Sequence, residues 1–238
     1  MKNLWPIVIM SIFIACEPPH YEGVNIERIP WTKVEHSNYE IIRHDTVIGS
    51  MSTTIESIDG GYKITSLVNI REDTVTLRDS TYLVLDSLLN PLLCHKYLTG
   101  GKNPLLVEAK YGTSKVVVRM VPSTGSRERI IHIRRPIYDN EEIYHLLRTI
   151  PYYTGYKARF YLMSTFAARF VPVSIEVCDT EPVTLSYGVK EGIKICLRVN
   201  RTSHYFWYEA DPPHRMLKYH NKWTNVILLH KRDTLPNS

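Results

Sequence analysis

Apolar and polar side chains alternate along most of this sequence, with a period of two residues that predicts β-strands. Ile64 and Val68, for example, fall on one face of such a stretch, and Lys63 falls on the other. Asp59-Gly60-Gly61 just before it is typical of a hairpin turn. About seven such stretches precede residue 138 and about seven follow residue 151. We therefore expect a mainly β fold, in which an antiparallel meander forms a strongly curved sheet or a barrel-like domain.

One stretch breaks this alternation and predicts a single central amphipathic helix. Its apolar residues recur at the spacing of one helix face: Ile143, Leu146, Leu147 and Ile150. Asp139 and Glu142 have the spacing of a capping box, which would satisfy backbone donors of the first turn. Pro151 disfavours helical geometry in the residue before it and is expected to end the helix.

Two placements of this helix are open. As a plug, the helix would bury its apolar stripe in the interior of the sheet beside Trp207. As a lid, it would lie at the mouth of the sheet, with Tyr152, Tyr153 and Tyr156 lining a gap. The complete apolar stripe favours the plug, because most of the stability of such a helix comes from packing its apolar face.

The amino terminus has the features of a targeting segment. Lys2 supplies a positive start, and residues 4–14 form an apolar run too short to cross a bilayer as a helix. The run ends in Phe13-Ile14-Ala15-Cys16, which resembles the bacterial lipobox, although Phe13 stands where that motif usually has Leu. The resemblance implies a signal peptide over residues 1–15 and acylation of Cys16. The alternative is an ordinary secretory signal.

The rest of the chain divides into a tether and a domain. Residues 16–37 are expected to form the tether, because Pro18, Pro19 and the lack of apolar periodicity argue against packing. Residues 38–238 are expected to form a single β-rich domain. An acylated Cys16 would attach the protein to the lipid bilayer of a bacterial cell envelope. We expect the periplasmic side rather than the cell surface, and the choice between inner and outer membrane stays open.

Charge and cysteine content limit the classes of partner. The net charge of +5 over 238 residues is too small to indicate nucleic-acid binding. Four arginines within residues 126–135 would either meet lipid head groups or form a charged sheet edge that resists aggregation. Export would permit a Cys178–Cys196 disulfide. The alternative is that these two thiols and Cys94 are all free and buried.

Motifs for chemistry are missing from the sequence. The ten histidines include no pair at the spacing that would aim two imidazoles at one metal ion from a helix or a strand. There is no Gly-x-Ser-x-Gly nucleophile motif. We therefore predict no catalytic residue, no metal and no cofactor, in a protein that is not an enzyme. The alternative is a hydrolase whose site is assembled in space.

Aromatic residues are better candidates for a binding surface. Strand alternation puts Tyr205 and Trp207 on one face, with Phe206 and Tyr208 on the other. Pockets for apolar ligands use aromatic walls with few polar groups. The candidate ligand-lining residues are Tyr152, Tyr156, Tyr205 and Trp207. The alternative is that these rings fill the core.

A series of short motifs carries a family resemblance. In chain order they are Tyr39 with Val47-Ile48-Gly49, Tyr138-Asp139, Leu146-Leu147-Arg148 with Pro151, Tyr187-Gly188 before Ile193, Trp207-Tyr208, Asp211-Pro212, Arg215 and Leu217. This order resembles a bacterial envelope family known as domain of unknown function 3108, over residues 38–229. The resemblance implies an exported, β-rich protein and no particular activity. A curved sheet holding one helix is also similar, at the level of fold, to envelope carriers that move lipidated proteins.

These observations favour a membrane-anchored envelope lipoprotein that binds an apolar ligand or an envelope partner without catalysis. A different class remains open, in which the chain is a structural or assembly module. Its sheet edge or helix surface would then dock another envelope protein.

Overall fold

The computed structural model describes residues 21–31, 33–72, 75–100, 104–133 and 136–232. The predicted signal peptide and Cys16 lie outside the described residues, so both stay predictions. Within the described ranges the chain forms fifteen β-strands and one short helix. The strands are β1 (Val34–Arg43), β2 (Thr46–Ile58), β3 (Gly61–Glu72), β4 (Val75–Asp86), β5 (Pro91–Thr99), β6 (Leu105–Tyr111), β7 (Lys115–Pro122), β8 (Arg127–His132), β9 (Ile137–Asp139), β10 (Lys157–Ser164), β11 (Arg169–Leu185), β12 (Gly188–Val199), β13 (Thr202–Glu209), β14 (Met216–Asn221) and β15 (Val226–His230), and the helix is α1 (Ile143–Leu146).

All fifteen strands belong to one sheet, in the order β8-β7-β6-β5-β4-β3-β2-β1-β15-β14-β13-β12-β11-β10-β9. β1 pairs with β15 at the centre, so the sheet has a first half, β1–β8, and a second half, β9–β15. Neighbouring strands are antiparallel except β9 and β10, which are parallel. The prediction of a mainly β antiparallel meander is confirmed.

The sheet is open, so the expectation of a strongly curved or barrel-like domain is wrong. A barrel would need hydrogen bonds between β8 and β9, but these strands lie at opposite ends of the sheet. β9 has only three residues, and its strand partner is β10. β8 is an exposed edge strand with a charged start at Arg127 and Glu128. Short strands at regular spacing are typical of barrels, but they also suit a long open meander.

The distribution of strands differs from the expected seven before and seven after the helix. Nine strands, β1–β9, precede α1, and six, β10–β15, follow it. One reason is that β11 is long, with 17 residues from Arg169 to Leu185. An irregularity in register lies between Val177 and Thr180. The intervening residues bulge within one strand instead of forming a turn.

Residues 21–31 pack against the domain, which corrects the prediction that they belong to a tether. The Tyr21 ring stacks on the Tyr161 ring with 4.4 Å between centroids, and the Gly23 N–H donates to the Arg159 carbonyl at 3.0 Å. Four apolar side chains contact the main core: Val24, Ile26, Ile29 and Trp31. β1 then begins at Val34, inside the predicted tether.

The main hydrophobic core takes side chains from both halves of the sheet. The apolar stripe of the predicted helix is buried in this core, as the plug placement requires: Ile143, Leu146, Leu147 and Ile150. Trp207 is not beside this stripe and belongs to a second cluster with Val183, Leu185 and Leu217. Because alternate residues of β13 point to opposite faces, Phe206 and Tyr208 enter the main core instead.

The helix is a single turn and does not continue to Pro151 as predicted. The Tyr208 hydroxyl donates to the Tyr144 carbonyl at 3.0 Å, and this is the oxygen that the Arg148 N–H would use in a longer α-helix. The Arg148 N–H donates to the His145 carbonyl at 3.0 Å instead, so the chain tightens at this point. Tertiary contacts therefore override the helical periodicity.

Two further observations concern thiols and membrane spans. Cys94, Cys178 and Cys196 all have free thiols, so the disulfide that export would permit is not formed in this structure. In the part of the chain that the structure describes, no helix is long and apolar enough to cross a membrane.

Leu147→Asp tests whether the buried stripe supports the fold. Leu147 is 0% exposed, so the substitution places a carboxylate in the main core. We expect it to lower the free energy of unfolding by about 4 kcal/mol or more, measured by urea denaturation. The matched control is Leu88→Asp, because Leu88 is 70% exposed in the turn after β4, and we expect a change below about 1 kcal/mol there. Equal stability of the two variants would contradict a supporting role for the stripe.

Candidate functional site

The central segment, residues 137–152, is held between the two halves of the sheet by buried polar contacts. The Arg148 guanidinium donates to both carboxylate oxygens of Glu35 on β1, at 2.7 and 2.9 Å. It also donates to the Pro213 carbonyl at 2.7 Å, in the connection between β13 and β14. Arg148 therefore joins both halves of the sheet to the end of the helical turn.

Asp139 fixes the start of the central segment. Its carboxylate accepts hydrogen bonds from the Tyr111 hydroxyl, from the Thr165 hydroxyl at 2.7 Å and from the Glu141 N–H at 2.9 Å. Burial first, and then the Glu141 carboxylate, raise the pKa of Asp139 to about 6. These contacts attach the segment to β6 and to the turn between β10 and β11.

The predicted capping box forms in part. A Glu142 carboxylate oxygen accepts from the Asp139 N–H at 2.8 Å, as the motif requires. The Asp139 side chain accepts from Glu141, however, and not from Glu142. Burial first, and then the Asp139 carboxylate, raise the pKa of Glu142 well above its usual range. The motif therefore shapes the entry to α1 without lengthening the helix.

His145 and Glu141 attach the helical turn to the first half of the sheet. His145 Nε2 and the Thr53 hydroxyl on β2 form a hydrogen bond of 3.1 Å. Burial first, and then the Arg148 charge, lower the pKa of His145 to about 3, so its imidazole is neutral near pH ~7. The Lys96 ammonium on β5 donates to Glu141 at 2.7 Å and lies 2.8 Å from Asp79. The turn thus has partners on several strands.

An apolar pocket of about 300 Å³ lies between this turn and the inner face of the second half of the sheet. The turn contributes Asn140, Ile143 and Tyr144 to its wall. Strands β10–β14 contribute the remaining lining residues: Leu162, Ser164, Val171, Val173, Leu197, Val199, His204, Phe206 and Tyr219. The wall is mainly aliphatic and aromatic, which suits an apolar ligand.

The mainly apolar wall of the pocket also contains a hydrogen-bonded pair of polar side chains. His204 Nδ1 and the Tyr219 hydroxyl form a hydrogen bond of 2.8 Å, and their rings stack. Burial lowers the pKa of His204 and raises the pKa of Tyr219 to about 12. Both groups are therefore uncharged near pH ~7, where they can hydrogen-bond a polar end of a ligand.

The four candidate ligand-lining residues do not meet in one site. Tyr152 packs in the core, with its ring 4.7 Å from that of His214. The Tyr156 hydroxyl accepts from the Asn25 N–H at 2.8 Å, beside a separate groove. Tyr205 and Trp207 lie on the opposite face of the sheet from the pocket.

Two pocket residues that are not among the candidates, His204 and Phe206, lie on β13, where strand alternation is visible in the sequence. His204 and Phe206 share the face of β13 opposite to Tyr205 and Trp207, so strand alternation predicts the two faces but not which of them borders the pocket. Tyr144 lies on the predicted helix but outside its apolar stripe. No pattern in the sequence places it next to Phe206, where its ring centroid lies 6.0 Å away.

A larger groove of about 600 Å³ is lined by residues 22–25 and by strands β10–β12. Its floor is ionic, because Lys157 lies 3.1 Å from Glu176 and Arg198 lies 3.8 Å from the same carboxylate. An apolar ligand there would desolvate charged groups at a cost in free energy. We therefore take the smaller apolar pocket as the candidate functional site.

The arginine-rich stretch and the potential metal ligands are the other candidates for chemistry. The arginine-rich stretch places Arg127 and Arg129 on β8, at the outer edge of the sheet, where charge opposes edge-to-edge pairing. Among the described residues, no group of three or more His, Cys, Asp or Glu side chains could hold a metal ion.

Comparison with known proteins supports the fold and shows no family. No family model and no curated protein matches the chain, so the resemblance to domain of unknown function 3108 stays a prediction. The chain is similar to the crystal structure of a β-barrel-like protein of domain of unknown function DUF1849 from Brucella abortus, with a TM-score of 0.58 and 10% identity over 86% of this chain and 97% of that chain. A protein of Parabacteroides distasonis named "a putative lipoprotein" gives a TM-score of 0.32 and 12% identity, over 85% of this chain and 95% of that one.

His145→Gln tests the neutral buried imidazole through pH dependence. The unfolded chain binds a proton on His145 near the ordinary pKa of 6.5, whereas the folded chain does so only near pKa 3. The contribution of the neutral His145 imidazole to the free energy of unfolding is therefore fully present above pH 6.5. It is lost as the pH falls towards 3. Between about pH 7.5 and about pH 4, the native protein should lose about 3 kcal/mol more than the variant, measured by urea denaturation.

The matched control for this comparison is His132→Gln, which removes an exposed imidazole. It should follow the native pH profile. Asp139 acts in the opposite sense, since its raised pKa costs stability as the pH rises from 3.8 to about 6. That contribution is common to all three proteins and cancels in the comparison. Identical pH profiles for the native protein and His145→Gln would contradict the buried neutral imidazole.

Proposed function

We propose that this protein is a membrane-anchored bacterial envelope lipoprotein that binds an apolar ligand and does not catalyse a reaction. The observation that carries the proposal is the apolar pocket between α1 and the sheet. Its volume of about 300 Å³ is at the lower end of the range for ligand pockets, which suits one acyl chain or a molecule of similar size. Each buried methylene group contributes about 0.8 kcal/mol to binding.

The arrangement of the polar pair supports an amphiphilic ligand. His204 and Tyr219 form a hydrogen-bonded pair in a mainly apolar wall, which suits a ligand with an apolar body and one polar end. The buried carboxylates offer no comparable site for a reaction. Asp139 accepts hydrogen bonds from Thr165 and from the central segment, one Glu142 oxygen accepts from the Asp139 N–H, and neither residue lines the pocket. This separation supports a binding protein over a hydrolase.

The edge strand favours a second candidate function, an assembly module. β8 pairs with β7 on one side, and within the described residues its other side has no strand partner. Ile130 on this strand is exposed. An extended segment of another envelope protein could add there as a further strand. The charged side chains of β8 oppose such pairing, so the pocket remains the better-supported site.

Val199→Trp tests the pocket with a fluorescent fatty-acid probe. Val199 lines the pocket at the end of β12, so an indole there would occupy ligand volume. We expect the variant to bind the probe at least about 10-fold more weakly than the native protein. Val189→Trp is the matched control, because Val189 is exposed at the other end of the same strand. Equal binding by the two variants, or no binding by the native protein, would contradict the proposed function.

Cys16→Ser tests the anchor. Bacteria that express the native chain with labelled palmitate should incorporate the label into the protein, whereas the variant should remain unlabelled. The control is Cys178→Ser, which removes a thiol of the folded domain and should leave labelling unchanged. Labelling that survives Cys16→Ser would rule out this cysteine as the acylation site.

A further inference from the structure

Three hairpin turns lie at the ends of strands that line the apolar pocket. They are residues 165–168 between β10 and β11, residues 200–201 between β12 and β13, and residues 222–225 between β14 and β15. Ser164 and Val199 line the pocket and directly precede the first two turns, and Tyr219 lies shortly before the third. We call these three turns and Arg169, which follows the first, the rim.

The rim exposes two large aromatic side chains. Phe166 is 55% exposed in the first turn, and Trp223 is 83% exposed in the third. Indole rings at such positions are enriched where proteins meet the membrane–water interface, because the ring is amphipathic. Exposed aromatic rings at two turns on the same end of the sheet indicate a surface that is covered in the working protein.

The charge of the rim fits an anionic surface. Arg169, Arg201 and Lys222 are exposed there. His44 and Asp45 form the neighbouring turn between β1 and β2, with 3.2 Å between His44 Nδ1 and Asn225 Nδ2. Among these four described turns and Arg169, Asp45 is the one acidic residue. At the opposite strand ends, the turn after β2 carries Asp59, and the connection after β13 carries Asp211 together with Arg215. The rim therefore carries more positive charge than these two connections.

The described amino terminus runs towards the same end of the sheet. Asn25 contacts Tyr156, Gly23 pairs with Arg159, and Tyr21 stacks on Tyr161. The chain therefore approaches the turn at residues 165–168 as it runs back towards residue 21. Cys16 lies five residues before Tyr21, a reach of at most ~18 Å. An acyl anchor at Cys16, as proposed above, is short enough to hold the rim at the bilayer surface.

We propose that the rim docks on an anionic lipid bilayer, with Phe166 and Trp223 among the head groups and acyl chains and with Arg169, Arg201 and Lys222 against lipid phosphates. The pocket mouth then faces the bilayer, from which an apolar ligand enters without crossing water. Docking goes beyond the proposed ligand binding and does not require an occupied pocket. The aromatic and charged side chains of the rim support docking without acylation of Cys16, and only the tethering distance rests on the proposed anchor.

Quenching by brominated acyl chains tests this docking in the full chain. The protein is reconstituted into vesicles of equal parts phosphatidylcholine and phosphatidylglycerol, with and without bromine on the acyl chains. Bromine should quench the native tryptophan fluorescence, and Trp223→Phe should abolish most of that quenching. The double variant Trp223→Phe with Val189→Trp moves an exposed indole to the opposite end of β12, and we expect it to remain unquenched.

The charge contribution is tested in the same vesicles. Combined Arg169→Glu, Arg201→Glu and Lys222→Glu should remove at least about half of the quenching that depends on Trp223. Combined Lys33→Glu, Lys110→Glu and Lys115→Glu makes the same change in net charge at exposed positions away from the rim, and quenching should persist. Native quenching that Trp223→Phe leaves unchanged overturns the docking proposal. Failure of Val199→Trp to weaken probe binding overturns only the ligand function, so the two proposals fail separately.

Discussion

The buried contacts of Arg148 and Asp139 are the constraint on which the rest of the structure depends. Arg148 connects β1 with the loop after β13, and Asp139 connects β6 with the turn after β10. Buried charges without partners are costly in a protein interior, so removal of one partner destabilises more than the pair itself contributes. The two residues therefore fix the helical turn at one position between the halves of an open sheet.

The pocket follows from the shortness of this turn. A helix that continued to Pro151 would present more side chains to the inner face of the sheet. The Tyr208 hydroxyl instead donates a hydrogen bond to the Tyr144 carbonyl and limits the helix to one turn. Ile143 and Tyr144 then cover the space above β10–β14 without filling it, and about 300 Å³ remains. The helical turn is buried as a plug would be, yet it also forms one wall of the open pocket.

Local patterns in the sequence predict much of the fold and little of the site. Strand alternation predicts the meander and the two faces of β13, and the apolar stripe predicts the burial of Leu147. The length of the helix depends on a hydrogen bond from Tyr208, which is distant in sequence. The packing of residues 21–31 depends on apolar side chains that follow neither strand nor helix periodicity. Closure of the sheet depends on whether β8 and β9 meet, and the pocket needs Tyr144 beside Phe206. None of these relations has a local signature.

Mass spectrometry of lipids extracted from protein purified out of bacterial membranes tests the central claim most directly. We predict that the native protein carries about one apolar molecule per chain and that the Val199→Trp variant, whose pocket is filled by an indole, carries much less. Both proteins must be washed in the same detergent, so that bulk membrane lipid is removed equally. Equal amounts of the same lipid on both proteins, or no lipid on the native protein, would contradict a ligand pocket beneath the helical turn.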